Sequence, residues 1–164
     1  MAKIPDHLTI EPALREEVPT VLALIKELAE FERLSHLVVA TETGLSEALF
    51  GPHPQAEVVL AKHHGAPVGF ALFHHNFSTF LGRRGLWLED LYVQPAVRGH
   101  GIGKALLMHV GGLAKARGCG RFEWAVLNWN EQAIRFYKSL GATPMDDWNI
   151  MRVTGDALER IPDL

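Results

Sequence analysis

Residues 86–113 read LWLEDLYVQPAVRGHGIGKALLMHVGGL, a strand pattern that passes through a glycine-rich turn into a helix pattern. The apolar and aromatic run 86–93 predicts a strand, and the spacing from Gly103 to about Arg117 predicts a helix. Between them lie Arg98, Gly99, His100, Gly101, Ile102 and Gly103. A small-residue loop at a helix start leaves several backbone N–H groups without intrahelical partners, where the helix dipole favours anions. Two carboxylates, Glu89 and Asp90, stand in the strand just before this loop. An anion cradle beside paired acids points to catalysis on a phosphate-bearing ligand.

The rest of the chain supplies a sheet and a helix layer for that unit. Residues 8–11 predict a short strand ending at Pro12. Residues 16–31 carry two apolar rows, Val18, Leu22, Ile25, Ala29 and Val21, Leu24, Leu28, Phe31, which together form one broad helical stripe. A shorter helix fits 43–50, with Thr43 as its cap and Gly51-Pro52 as its stop. Strands are expected at 56–63 and 68–76, joined by a turn at Gly65-Ala66-Pro67, followed by a loop over 78–84. After the long helix, a strand is expected at 121–127. A helix follows at 131–140, with Asn130 as cap and Gly141 at its end, and weaker strands at 143–145 and 149–154. This order predicts a single mixed α/β (α+β) domain over 1–164, with a partly antiparallel sheet.

Length and composition agree with one domain: 164 residues, 48% hydrophobic and 21% charged. A net charge of −3 without a basic block argues against a nucleic-acid partner. The apolar runs are too short for a membrane span, and the opening ten residues lack the apolar stretch of a secretory signal. The single cysteine, Cys119, allows no internal disulfide and fits a reducing cytoplasm. Nine histidines invite a metal reading, but His63-His64 and His74-His75 are adjacent pairs on strands and face opposite ways. No His, Cys, Asp and Glu set has ligand spacing, so no metal is expected.

The loop fails two familiar patterns. A Walker loop needs four residues before Gly-Lys and then Ser or Thr; here three residues separate Gly99 from Gly103, and Ala105 follows Lys104. A dinucleotide fingerprint needs a third glycine, where this chain has Leu106. What remains, Arg98-x-x-Gly101-x-Gly103 after a strand and Gln94-Pro95, resembles the acetyl-CoA signature of the Gcn5-related N-acetyltransferase (GNAT) superfamily. Leu88-Glu89-Asp90-Leu91-Tyr92-Val93, Asn128-Trp129-Asn130, Phe136-Tyr137, Gly141-Ala142 and LIKELAEFE at 24–32 resemble its diamine (spermidine/spermine) acetyltransferase branch. These matches run in one order across 24–142. The resemblance implies about six to seven strands, about four helices and a splay between the central strands.

The resemblance implies a role for each residue. The pyrophosphate of acetyl-CoA would rest on the amides of Gly99, His100, Gly101, Ile102, Gly103 and Lys104, with Arg98 beside it. The pantetheine arm would pair with the backbone of Leu91, Tyr92 and Val93, and Asn130 would contact the arm or cap its helix. Glu89 would take the proton of the incoming ammonium, with its pKa raised by partial burial. Strand alternation places Glu89 with Trp87 and Leu91, and Asp90 with Leu88 and Tyr92; Asp90 reads as structural or dimer-facing. Tyr137, two helical turns beyond Asn130, would protonate the departing thiolate.

The acceptor would meet Phe31, Glu32, Phe80, Glu89 and Glu123. Three of these depart from the diamine branch, which carries tyrosine, tryptophan and histidine where this chain has Phe31, Phe80 and Glu123. The implied activity is acetyl transfer from acetyl-CoA to a primary amine: a diamine or polyamine, thialysine, or a lysine- or ornithine-like amino acid. The resemblance also implies a homodimer. Two other readings stay open: a non-catalytic acyl-CoA-binding module on the same scaffold, and a peptide N-terminal acetyltransferase.

Overall fold

The apolar stripe near the start of the chain forms α1 (Val18–Phe31), preceded by a single 3-10 turn at Arg15–Glu17. Pro19 sits in the first helical turn, where its missing N–H costs nothing, and Val18, Val21, Leu22, Leu24 and Ala29 are buried. The computed structural model describes residues 5–163; residues 1–4, part of the N-terminal segment inspected for a signal, lie outside them. The second helix, α2 (Glu42–Phe50), is capped by Thr41 rather than Thr43: the Gly44 N–H donates to Thr41 Oγ1 at 3.1 Å. The helix starts one residue earlier than expected, which puts Thr43 inside its first turn.

Five strands form one sheet in the order β1 (Leu8–Pro12), β2 (Glu57–His63), β3 (Ala66–Ser78), β4 (Arg83–Val93), β5 (Phe122–Trp124). The first four pair antiparallel, and β5 joins β4 in parallel. The β2–β3 turn is His64-Gly65, with φ of 51° and 79°. Two successive positive φ values give the tight turn whose twist suits a hairpin. Ala66 and Pro67 therefore belong to β3 and not to the turn. Strands β3 and β4 are longer than expected, which shrinks the loop between them to residues 79–82.

The sheet is covered on both faces. Val58, Leu60, Phe70, Leu72 and Tyr92 pack with Val21 and Leu24 of α1 and Leu49 of α2. On the other face lies α3 (Ile102–Ala116), whose Gly111 approaches Phe122. The Arg117 guanidinium just beyond α3 lies 5.9 Å from the Phe73 ring centre.

The chain forms two compact units, one up to Ala125 and one from Val126. In the second, α4 (Glu131–Ser139) and α5 (Asp156–Arg160) are the α-helices among the described residues. Gly141 follows α4 with φ of 93°, the left-handed stop expected there.

The described residues thus hold five strands and five α-helices, against an expectation of six to seven and four. Residues 143–145 and 149–154 form no strand, and α5 lies where no helix was expected. The 121–127 strand is reduced to β5. It pairs with β4 only at Leu86, Trp87 and Leu88, so beyond Leu88 no strand of the described residues covers that edge of β4. This is where the implied splay would open.

Candidate active site

The loop before α3 has the backbone that the glycines permit. Gly99 and Gly101 both have φ of 83°, in the left-handed region that costs a non-glycine residue about 1–2 kcal/mol. Gly101 is the N-cap of α3, and no side chain caps the helix. The first back-bonded amide is Ala105, which donates to the Gly101 carbonyl at 2.9 Å. The N–H groups of Ile102, Gly103 and Lys104 are therefore the unpartnered donors of a helix start, with dipole and direction both suited to an anion. The buried Ile102 side chain anchors this end of the helix. His100 is exposed, with Nδ1 3.3 Å from the Val97 carbonyl.

Arg98 is engaged with β4 and α1. Its Nε donates to the Val93 carbonyl at 2.8 Å, and its guanidinium lies 4.4 Å from the centre of the Phe31 ring and 5.4 Å from that of Tyr92. It joins the end of β4 to the end of α1.

The Gln94 N–H donates to Val68 on β3 at 2.9 Å. Backbone groups alternate along an antiparallel strand, so Tyr92 also bonds toward β3, while Leu91 and Val93 turn their N–H groups, and Leu91 its C=O, to the edge that no strand of the described residues covers; the Val93 C=O already accepts from Arg98. An extended ligand arm can pair there. The Tyr92 side chain is not available to it. It is buried, its hydroxyl donates to Glu27 at 3.2 Å, and burial together with the Glu27 charge pushes the phenol above its ordinary range.

The two acids are arranged differently from the simple alternation. Leu72 lies opposite Asp90 and Phe73 opposite Leu88, so Glu89 is the extra residue of a β-bulge. Cross-strand partners share a face. Leu88 therefore goes with Phe73 on the α3 side, and Asp90 goes with Leu72 on the α1 side, not with Leu88. Trp87 lies opposite His74, on the same face as Leu72 and Asp90. Glu89 reaches that face too: Trp87 Nε1 donates to Glu89 Oε2 at 2.8 Å, and His74 Nε2 lies 3.7 Å from the same oxygen.

Burial of the acids also departs from expectation. Glu89, expected to be partly buried, has a side chain 55% exposed. Asp90 is the sequestered one. Its carboxyl is pushed up to about 6, first by desolvation and then by the charges of Glu89 and Glu32. Burial raises Glu32 as well. Glu32, Glu89 and Asp90 thus form one acidic group. Glu123 shares the sheet face but is engaged, accepting from Asn76 Nδ2 at 3.1 Å and pairing with Arg121 at 3.3 Å. Phe80, in the turn over 79–82, is 93% exposed. Phe31 lies under Arg98. His74 was not foreseen as part of this site, because the register that sets it opposite Trp87 is a property of strand pairing and not of either strand's own sequence. The nearness of Trp87 and Glu89 was readable, since residues two apart in a strand share a side.

In the second unit, the Ala133 N–H donates to Asn130 Oδ1 at 3.2 Å, so Asn130 caps α4 as expected. Tyr137 is half-buried, seven residues further along, with its ring 5.3 Å from that of Phe136. Among the described residues, no group of three or more His, Cys, Asp or Glu is placed to hold a metal ion, and no helix is long and apolar enough to cross a membrane.

Comparison with known proteins matches this geometry. The Acetyltransferase (GNAT) family pattern covers residues 22–142. The chain is 37% identical to thialysine N-epsilon-acetyltransferase of Mus musculus, over 93% of this chain and 95% of that protein. It is 32% identical to L-ornithine N5-acetyltransferase NATA1 of Arabidopsis thaliana, over 94% and 88% of the two. An integron cassette protein from the mobile metagenome of V.cholerae has the same fold, with a TM-score of 0.81 at 24% identity, covering 98% of this chain and all of that one. The glycine corner before α3, the uncovered edge of β4 and full-length similarity to acetyltransferases agree: this chain is an acetyltransferase and belongs to the GNAT family.

Proposed function

We propose that the enzyme moves an acetyl group from acetyl-CoA directly to a primary amine of a small cationic molecule, of the thialysine, ornithine, lysine or diamine class. The observation that carries this reading is the acidic group of Glu32, Glu89 and Asp90 on one sheet face, beside the uncovered edge of β4. A cationic amine is attracted to such a group, and a basic protein surface is not required. The printed activities of the mouse and Arabidopsis relatives, on thialysine and ornithine, support the same class.

The amides of Ile102, Gly103 and Lys104, with the glycine turn before them, fit the pyrophosphate, and Leu91 and Val93 fit the amide-bearing arm. When bound, acetyl-CoA supplies an activated acetyl thioester. Glu89 removes the proton that keeps the acceptor nitrogen from attacking, and an edge amide of β4 polarises the reacting carbonyl. Tyr137 returns a proton to the leaving sulfur, a role carried over from the family resemblance, with Asn130 supporting the arm. Phe31, Phe80 and Glu123 tune the acceptor. The reading extends to a single acetyltransferase domain acting as a cytoplasmic homodimer without nucleic-acid or membrane partners. The net charge of −3 supports the absence of a nucleic-acid partner and the lone cysteine a reducing compartment, while the homodimer rests on the family resemblance.

Thiol release from acetyl-CoA, measured with thialysine, ornithine, lysine, diamines and a peptide in turn, tests the proposal. Release with at least one small amine is expected. Release with the peptide alone, or with no amine despite acetyl-CoA binding, contradicts it.

A further inference from the structure

Glu89 is exposed, and an exposed glutamate on a strand has several rotamers open to it. Two neighbours restrict this one. Trp87 Nε1 donates to Oε2 at 2.8 Å, and His74 Nε2 lies 3.7 Å from that same oxygen. Among the described residues, neither contact falls on Oε1. The indole has a single donor and no acceptor, so it can only hold the carboxylate. On His74, Nδ1 lies 3.3 Å from the His75 carbonyl and Nε2 faces Glu89; both oxygens only accept, so the ring serves both partners when each nitrogen carries a hydrogen. Strand alternation puts Glu89 on the face on which Trp87 and His74 are cross-strand partners, and the bulge brings Asp90 to that face as well.

From this geometry we infer that Trp87 and His74 are positioning residues for the reaction. They hold Glu89 by Oε2 and reserve Oε1 for the proton of the acceptor ammonium. The inference rests on Glu89 being the base. The N–H bond of the ammonium breaks, the proton passes to Oε1, and the nitrogen lone pair becomes available for attack. Neither Trp87 nor His74 touches the reacting atoms. They keep one carboxylate oxygen occupied, so that the other meets the amine in a narrow range of orientations.

The test is a set of variants assayed at saturating acetyl-CoA. Trp87→Phe is expected to lower kcat about tenfold with the KM for acetyl-CoA unchanged, the scale of one lost hydrogen bond to a charged group, and His74→Phe to lower it up to about fivefold, the scale of an exposed ion-pair contact. His74→Gln keeps an N–H donor and is expected to recover most of the loss. In a Glu89→Gln background, adding His74→Phe is expected to change the residual kcat less than about twofold, since the held carboxylate is already gone. The His74 side chain is 37% exposed, so its variants keep the test informative if Trp87→Phe misfolds. Full kcat in His74→Phe and Trp87→Phe, or an equal loss in the Glu89→Gln background, overturns the inference while leaving the base intact. Full kcat in Glu89→Gln itself removes the base and this inference with it.

Discussion

Glu89 and Asp90 are neighbours in the chain, yet both carboxylates serve the same face of β4, because Glu89 is the unpaired residue of a bulge. The two differ in burial. Glu89 stands out toward His74 and Trp87, while Asp90 sinks toward Leu72 and is pushed up to about 6. One residue of extra chain therefore converts an alternating strand into an acidic surface with one exposed carboxylate and one sequestered neighbour.

Asp90 gives stability a distinctive pH dependence. Its ordinary value is 3.8 and its folded value about 6, so between these the folded state binds more protons than the unfolded state. Its contribution is thus most favourable below about pH 4 and declines as pH rises through 6, by about 3 kcal/mol in all. Asp90→Asn removes this decline. In urea denaturation the variant is expected to gain on the parent as pH rises from 4 to 7. Parallel pH dependence of the two proteins would count against the burial of Asp90.

Two glycines of the same strand–loop–helix unit should respond oppositely to alanine. Gly101 has φ of 83°, so Gly101→Ala is expected to cost about 1–2 kcal/mol and to raise the KM for acetyl-CoA. Gly112 lies inside α3 with nothing within 4 Å of an added Cβ. Gly112→Ala is expected to stabilise by about 0.5–1 kcal/mol with KM unchanged. Thermal denaturation and steady-state kinetics check both.

Tyr137→Phe is expected to lower kcat by about 10²-fold, the lower range for a lost general acid, with acetyl-CoA affinity nearly unchanged. Isothermal titration with acetyl-CoA and turnover with the best amine separate these quantities. Undiminished turnover removes the acid role from Tyr137.

Much of the fold was readable where apolar spacing is long and its ends are chemically marked. Pro19 and the double apolar row define α1, and Asn130 and Gly141 bracket α4. The cap expected at Thr43 stands at Thr41, two residues earlier, and residue type does not separate the two positions, because both are threonine. The strand expected at 149–154 does not form: Ile150 and Val153 are exposed and belong to no strand among the described residues. The glycine corner was readable from Gly99, Gly101 and Gly103. The grouping of acids was not: a bulge inserts one residue without changing composition, and WLEDLYV reads as plain alternation. Only the pairing of Leu72 with Asp90 and Phe73 with Leu88 reveals that Leu88 and Asp90 point apart.

Glu89, on this acidic face, is proposed to deprotonate the acceptor amine. Its most direct test is the pH dependence of kcat/KM for the amine in the parent enzyme and in Glu89→Gln. A loss of about 10²–10⁴-fold is expected in the variant near neutral pH. The gap should narrow at high pH, where the amine loses its proton without help. Superimposable profiles across the whole range would contradict it.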